Sequence, residues 1–71
     1  MNVILVQKEG ELYAFYYDDD TVSVAALIET AARFAGDPRL SFEWDDAVGV
    51  VDAQERLERA HAAVRDITGT D

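Results

Sequence analysis

The chain has 71 residues, of which 15 are Asp or Glu and six are Lys or Arg, so its net charge at pH 7 is −9. A domain of this length buries only a small core. There is no cysteine and only one histidine, His61, which excludes disulfides, thiolate metal sites and multi-histidine metal sites. The acidic balance argues against direct binding to nucleic acid or to anionic membrane surfaces.

The first two predicted elements are strands joined by a short turn. The four aliphatic residues at 3–6 favour a strand that is covered on both faces, and the polar residues 8–11 predict a hairpin turn. The aromatic-rich residues 12–17 predict a second strand. Its alternate residues form two sets, with Leu12, Ala14 and Tyr16 on one face and Tyr13, Phe15 and Tyr17 on the other.

The third and fourth predicted elements are a helix and a short strand. Apolar residues recur at spacings of three and four over residues 22–35, which predicts an amphipathic helix. Aspartates precede this helix and favour its N-terminus, while Gly36 and the following Asp37-Pro38 favour its end. Residues 40–44 then predict a third strand, which ends in two aspartates as the second strand does.

The last segment allows two interpretations. Apolar residues continue at helical spacing from Val50 to Ile67, which predicts one long helix over about 46–68 that ends at Gly69. The alternative is a fourth strand over 47–51 followed by a helix from 53, because the valines and the glycine there are poor helix formers. The long helix is preferred since the apolar stripe shows no shift in phase.

Together these elements predict a single α+β domain over residues 1–71 with the order β-β-α-β-α and a long C-terminal helix. A right-handed crossover makes strands two and three parallel, which gives a three-stranded mixed sheet in the order 2-1-3. The alternative reading of the last segment gives ββαββα. The chain has no apolar run long enough to span a membrane and no signal-peptide pattern at its N-terminus, so a cytoplasmic location is expected.

The predicted sheet raises the question of what covers its second face. If both helices pack on one face, the other face exposes an apolar patch of the kind that marks an interaction site. If the helices take opposite faces, no patch remains. The first arrangement predicts a homodimer, with an interface formed by Tyr13, Phe15, Tyr17 and Trp44.

The aspartates that follow strands two and three are candidate metal ligands. In the parallel arrangement Asp18, Asp20, Asp45 and Asp46 would lie at the same end of the sheet, where carboxylates could hold Mg²⁺ or Ca²⁺. Their spacing matches no established metal-binding motif. The favoured alternative is that they cap helices and face water, so neither a metal ion nor a cofactor is expected.

No catalytic pattern is present in the sequence. His61 has no evident orienting partner, and no nucleophile motif or phosphate-binding loop is found. The chain is therefore expected to be a non-catalytic binding protein that associates with itself or with a protein partner. Two alternatives remain, an acidic inhibitor that imitates nucleic acid toward a basic protein, and a divalent-metal-binding domain. For the acid surplus itself, adaptation to a high-salt cytoplasm or a GC-rich genome is favoured over such imitation, because net charge bears on solubility more readily than on function.

Overall fold

The computed structural model describes residues 1–68, which form two strands followed by two helices. Strand β1 spans Asn2–Lys8, β2 spans Glu11–Tyr17, helix α1 spans Thr21–Ala35 and α2 spans Trp44–Thr68. The predicted class, helices packed on a sheet, is confirmed, but the described residues contain a two-stranded sheet and not a three-stranded one. Both helices lie on one face of this sheet, with α1 beneath β2 and α2 beneath β1.

The strands form an antiparallel hairpin that is closed by Glu9 and Gly10. The two residues have φ angles of 49° and 80°, the combination of two positive angles that a type I′ turn requires. Gly10 adopts this conformation without steric cost, whereas a glutamate rarely does. The tight turn fixes the register of the hairpin, in which Ile4 pairs with Phe15.

Helix α1 has the ends that the sequence predicts. The carboxylate of Asp20 accepts hydrogen bonds from the backbone N–H of Ser23 at 2.7 Å and from its hydroxyl at 3.0 Å. These bonds satisfy a free N–H group of the first helical turn and lower the pKa of Asp20. The helix ends at Ala35, and Gly36 is its C-terminal cap.

Helix α2 is uninterrupted over 25 residues, which corresponds to about 37 Å. The long helix is therefore confirmed, and the alternative strand over 47–51 is wrong. Val50 lies in this stretch and has no exposed surface. Burial of the apolar stripe thus outweighs the poor helix propensity of the valines and of Gly49. The predicted stop at Gly69 lies outside the described residues.

The predicted third strand over residues 40–44 is wrong. Residues 36–43 form an irregular connection, and α2 already begins at Trp44. The connection turns at its start, where the N–H of Leu40 donates to the carbonyl of Asp37 at 3.1 Å. The chain therefore does not run alongside β1, and the predicted strand order 2-1-3 is wrong as well.

Phe42 attaches this connection to the rest of the fold. Its side chain is 2% exposed, and its ring lies 5.2 Å from that of Tyr13, 5.6 Å from that of Phe15 and 5.9 Å from that of Phe34. Tilted and edge-to-face ring pairs stabilise beyond the area that they bury. The backbone N–H of Ser41 also donates to the Tyr13 hydroxyl at 3.1 Å. Side-chain packing has taken the place of strand pairing.

The core lies between the inner face of the hairpin and the two helices. Its buried apolar residues come from every element and from the connection: Ile4, Tyr13, Phe15, Tyr17, Leu27, Ala31, Phe42, Ala47 and Val50. Gln54 is the last buried residue of α2 within the described side chains, and its amide donates to Glu58 at 3.2 Å. Leu57, one turn further along α2, is half-buried and still packs against the core.

Replacement of Phe42 by alanine tests the corrected connection. We expect Phe42→Ala to lower the free energy of unfolding by about 3–5 kcal/mol, because it leaves a cavity among the aromatic rings. The matched change Trp44→Ala should cost less than about 1 kcal/mol, since Trp44 is 61% exposed. Urea unfolding followed by circular dichroism measures both. In a strand over 40–44 the two side chains would share one face, so equal losses would contradict the observed connection.

Candidate interaction surface

The face of the hairpin that points away from the helices is apolar and exposed, and we call it the outer sheet face. It consists of three cross-strand pairs, Val3–Tyr16, Leu5–Ala14 and Gln7–Leu12. Its four large apolar residues are between 46% and 67% exposed. The face contains no charged side chain, although the chain as a whole carries −9. Because contiguous exposed apolar surfaces are uncommon on monomeric proteins, this face is the candidate interaction surface.

The residues predicted to form an interface lie elsewhere. Tyr13, Phe15 and Tyr17 are on the inner face of β2, at most 9% exposed, and their rings fill the core. Trp44 is exposed but begins α2, on the helix side of the sheet. The sequence contained one signal for which face of β2 is buried, namely side-chain volume. The inner set is aromatic at every position, whereas the outer set includes the small Ala14.

The two aspartate clusters lie at opposite ends of the hairpin. Asp46 forms an ion pair with Lys8 at the end of β1, whereas Asp19 accepts a hydrogen bond from the side chain of Asn2 at its beginning. A strand of seven residues separates these ends by about 20 Å. The predicted convergence is wrong, because the segment before Asp45 is not a strand parallel to β2.

Each candidate metal ligand has a different structural position. Asp20 caps α1, Asp46 contacts the start of α2, Asp45 lies in the first turn of α2, and Asp18 lies 4.0 Å from the N-terminal amine. Among residues 1–68 the structure brings together no group of three potential metal-ligating side chains. Asp20 and Asp46 each accept a backbone N–H at the start of a helix, as the capping alternative predicts.

The carboxylate of Asp46 links the hairpin to α2. It accepts a hydrogen bond from the backbone N–H of Glu43 at 2.8 Å and lies 3.0 Å from Nζ of Lys8. Both interactions stabilise the charged carboxylate and lower the pKa of Asp46, which in turn raises the pKa of Lys8. The side chains are only 15% and 28% exposed, so water screens this pair less than an ordinary surface salt bridge.

Two other carboxylates have lowered pKa values for local reasons. The Tyr13 hydroxyl donates to Glu11 at 2.8 Å, which lowers the pKa of Glu11 and raises that of Tyr13. Asp37 accepts hydrogen bonds from the guanidinium and the backbone of Arg39, and its pKa falls to about 2. Both carboxylates stabilise the turns and the connection around the core.

His61 has a neighbour that the sequence did not suggest. Its Nδ1 lies 3.7 Å from Oδ1 of Asp19, which is too long for a hydrogen bond. Gln54 and Glu58 lie beside it in a recess of about 70 Å³. Ligand pockets usually measure about 300–1,000 Å³, so this recess does not hold a substrate next to the imidazole.

No protein-family model, curated protein or solved structure matches this chain. Within residues 1–68, neither helix is apolar over a length that would cross a membrane. The grounds for a function therefore come from the surface of the described residues, where the outer sheet face is apolar, exposed and uncharged.

The contact between Asp46 and Lys8 predicts a loss of stability in acid. A carboxylate whose pKa is lowered by folding stabilises the protein above its unfolded pKa, and this contribution disappears as the pH falls through the lower pKa of the folded state. We expect Asp46→Asn to lower the melting temperature near neutral pH by several degrees and to reduce the acid-dependent loss. Melting curves from pH 7 to pH 2 measure this effect.

Asp45→Asn is the matched control. It removes the same charge at the neighbouring position, where the side chain of Asp45 is exposed. It should leave the acid-dependent loss nearly unchanged. If the two variants had the same melting temperature at every pH, the link between the hairpin and α2 would contribute nothing to stability.

Proposed function

We propose that this protein is a non-catalytic binding protein of the cytoplasm that works as a homodimer through its outer sheet face. The observation that carries the proposal is the exposed, uncharged face of the hairpin. Val3, Leu5, Leu12 and Tyr16 lie side by side on it, and no element among the described residues covers them. Removal of such a surface from water is favourable.

The distribution of charge supports a second copy as the partner at this face. Two chains that each carry −9 repel one another over most of their surfaces. The outer sheet face is a place where two copies make contact without opposing carboxylates. A polar Gln7 at its edge reaches solvent or the partner without a desolvated charge.

The size of the face sets the expected strength of association. The exposed apolar side chains present on the order of 500 Å² per copy, so a pair buries on the order of 1,000 Å², the lower limit for a specific interface. Two hairpins that pack face to face about 10 Å apart give four layers, with helices on the outside and sheets in the middle. The expected dimer is weak, with a Kd in the micromolar range.

Leu5→Lys tests the dimer. Light scattering at increasing protein concentration should show that the mass of the unchanged chain rises toward twice that of one chain. The lysine places a charge on each copy at the contact, so the variant should remain monomeric at the same concentrations. Added NaCl should strengthen association of the unchanged chain, because salt screens the repulsion between two acidic molecules.

Val48→Lys is the control for this experiment. Val48 is 67% exposed, similar to Leu5 at 59%, but it lies on α2. The control should dimerise as the unchanged chain does. A monomer at every concentration, or equal weakening by the two lysines, would show that the outer sheet face does not hold two copies together.

A further inference from the structure

Ala14 has the smallest side chain of the outer sheet face and lies at its middle. It pairs with Leu5 across the hairpin, and Leu12 and Tyr16 lie two residues before and after it on the same strand. These three neighbours are each more than half exposed, so they project from the sheet, whereas alanine projects a single methyl group. The outer sheet face therefore has a depression over Ala14 that three large side chains border.

Face-to-face packing of two such hairpins is most extensive when their strands are aligned. Packed sheets are either aligned within about 30° or crossed at nearly 90°. Aligned hairpins overlap along the whole length of the strands, about 20 Å for seven residues, whereas crossed hairpins overlap only over the width of two strands that lie about 5 Å apart. A homodimer through the outer sheet face therefore buries the most apolar surface in the aligned arrangement.

The two-fold axis of an aligned homodimer has two possible directions. If the axis runs along the strands, β1 of one copy lies over β2 of the other, and Leu5 of each copy faces Ala14 of the other. If the axis runs across the strands at the middle pair, each strand lies over the same strand of the other copy. Leu5 then faces Leu5, and Ala14 faces Ala14. The two directions therefore bring different side chains together.

We propose that the axis runs along the strands and that the depression over Ala14 receives Leu5 of the second copy. This arrangement rests on the homodimer proposed above. Facing side chains interdigitate when large residues meet small ones, and each Leu5 then fills the depression of the other copy. With the axis across the strands, two leucines would meet end to end beside a void between two alanines, and such voids are destabilising.

The other pairs of the face favour the same direction. With the axis along the strands, Tyr16 faces Val3 and Leu12 faces Gln7, so the pairs between copies match those within each hairpin. With the axis across the strands, Tyr16 would face Leu12, and these are the two most exposed large residues of the face. Val3 would then face Gln7, so the β2 side of the interface would be overfilled relative to the β1 side. Overfilled contacts are destabilising as well.

Cross-linking distinguishes the two directions, because the chain has no cysteine of its own. With sheets about 10 Å apart and strands about 5 Å apart, an axis along the strands places the Cα atoms of Val3 in the two copies about 11 Å apart. It places Val3 about 17 Å from Gln7 of the second copy, since four residues of strand add about 13 Å along the strand direction. With an axis across the strands, the two Val3 residues are about 17 Å apart and Val3 lies about 10 Å from Gln7 of the second copy.

The single-cysteine variants Val3→Cys and Gln7→Cys supply the thiols. At a concentration at which light scattering shows dimers, each variant alone should be joined to itself by a bismaleimide that is too short for the longer distance. In an equal mixture, mass spectrometry should find Val3→Cys joined to Gln7→Cys at least about 10-fold less often than either variant joined to itself. An excess of the mixed product would overturn the proposed direction of the axis.

Substitution of Ala14 tests the depression itself. Ala14→Leu fills the depression and should raise the Kd of the dimer at least about 10-fold, because Leu5 of the second copy then meets an occupied site. Ala62→Leu makes the same change at an exposed position of α2 and should leave the Kd unchanged. A dimer of equal or higher affinity in Ala14→Leu would contradict the proposal, since added apolar surface strengthens a contact at a site without a depression.

A mixture of two variants restores the fit between large and small side chains. In a dimer of one Leu5→Ala chain and one Ala14→Leu chain, every leucine at these positions again faces an alanine. Native mass spectrometry of an equal mixture should therefore show more of the mixed dimer than random pairing gives. Random proportions would contradict a contact between the two positions.

The outcomes also separate this contact from the homodimer itself. If the unchanged chain is a monomer at every concentration, the homodimer and the contact at Ala14 are both overturned. If the unchanged chain forms a dimer that Leu5→Lys prevents and Ala14→Leu does not weaken, only the contact at Ala14 is overturned.

Discussion

The insertion of Phe42 among the rings of the hairpin and α1 is the contact on which the arrangement of the chain depends. It draws the connection between the helices into the core at a point where the chain could otherwise extend beside β1. The described sheet consequently remains a hairpin with two free edges. A single side chain therefore decides how much strand edge the molecule presents to other proteins.

The packing of both helices on one face of the sheet also determines which surface is exposed. Two helices on one face of a two-stranded sheet bury the inner aromatic residues and leave the opposite face without a cover. In a chain of charge −9 that uncovered face carries no charged side chain.

The long helix is oriented by a contact at its beginning. Lys8, the single lysine of the chain, lies at the end of β1 and meets Asp46 in the first turn of α2. The same carboxylate accepts the N–H of Glu43, so one side chain both caps the helix and attaches it to the hairpin. From that point α2 runs along β1 toward the opposite end, where His61 lies near Asp19.

The sequence by itself determined the elements whose signals are local. The hairpin, the caps of α1 at Asp20 and Gly36, and the length of α2 follow from alternation, helical spacing and capping chemistry, all of which act within a few residues. It also separated the two faces of β2. Local pattern does not reveal which of two apolar faces the helices will cover, because that choice depends on how well distant side chains fill the space between elements.

Only the tertiary structure decided whether residues 40–44 form a strand or an irregular connection. Residues 40–44 contain three apolar residues that alternate with two polar ones. This pattern is compatible both with pairing as a strand and with insertion of one side chain into a core. The aromatic cavity formed by Tyr13, Phe15 and Phe34 favours the insertion of Phe42. Because Phe42 inserts into the core, the segment before Asp45 does not form a strand parallel to β2. The two aspartate clusters therefore lie at opposite ends of the hairpin.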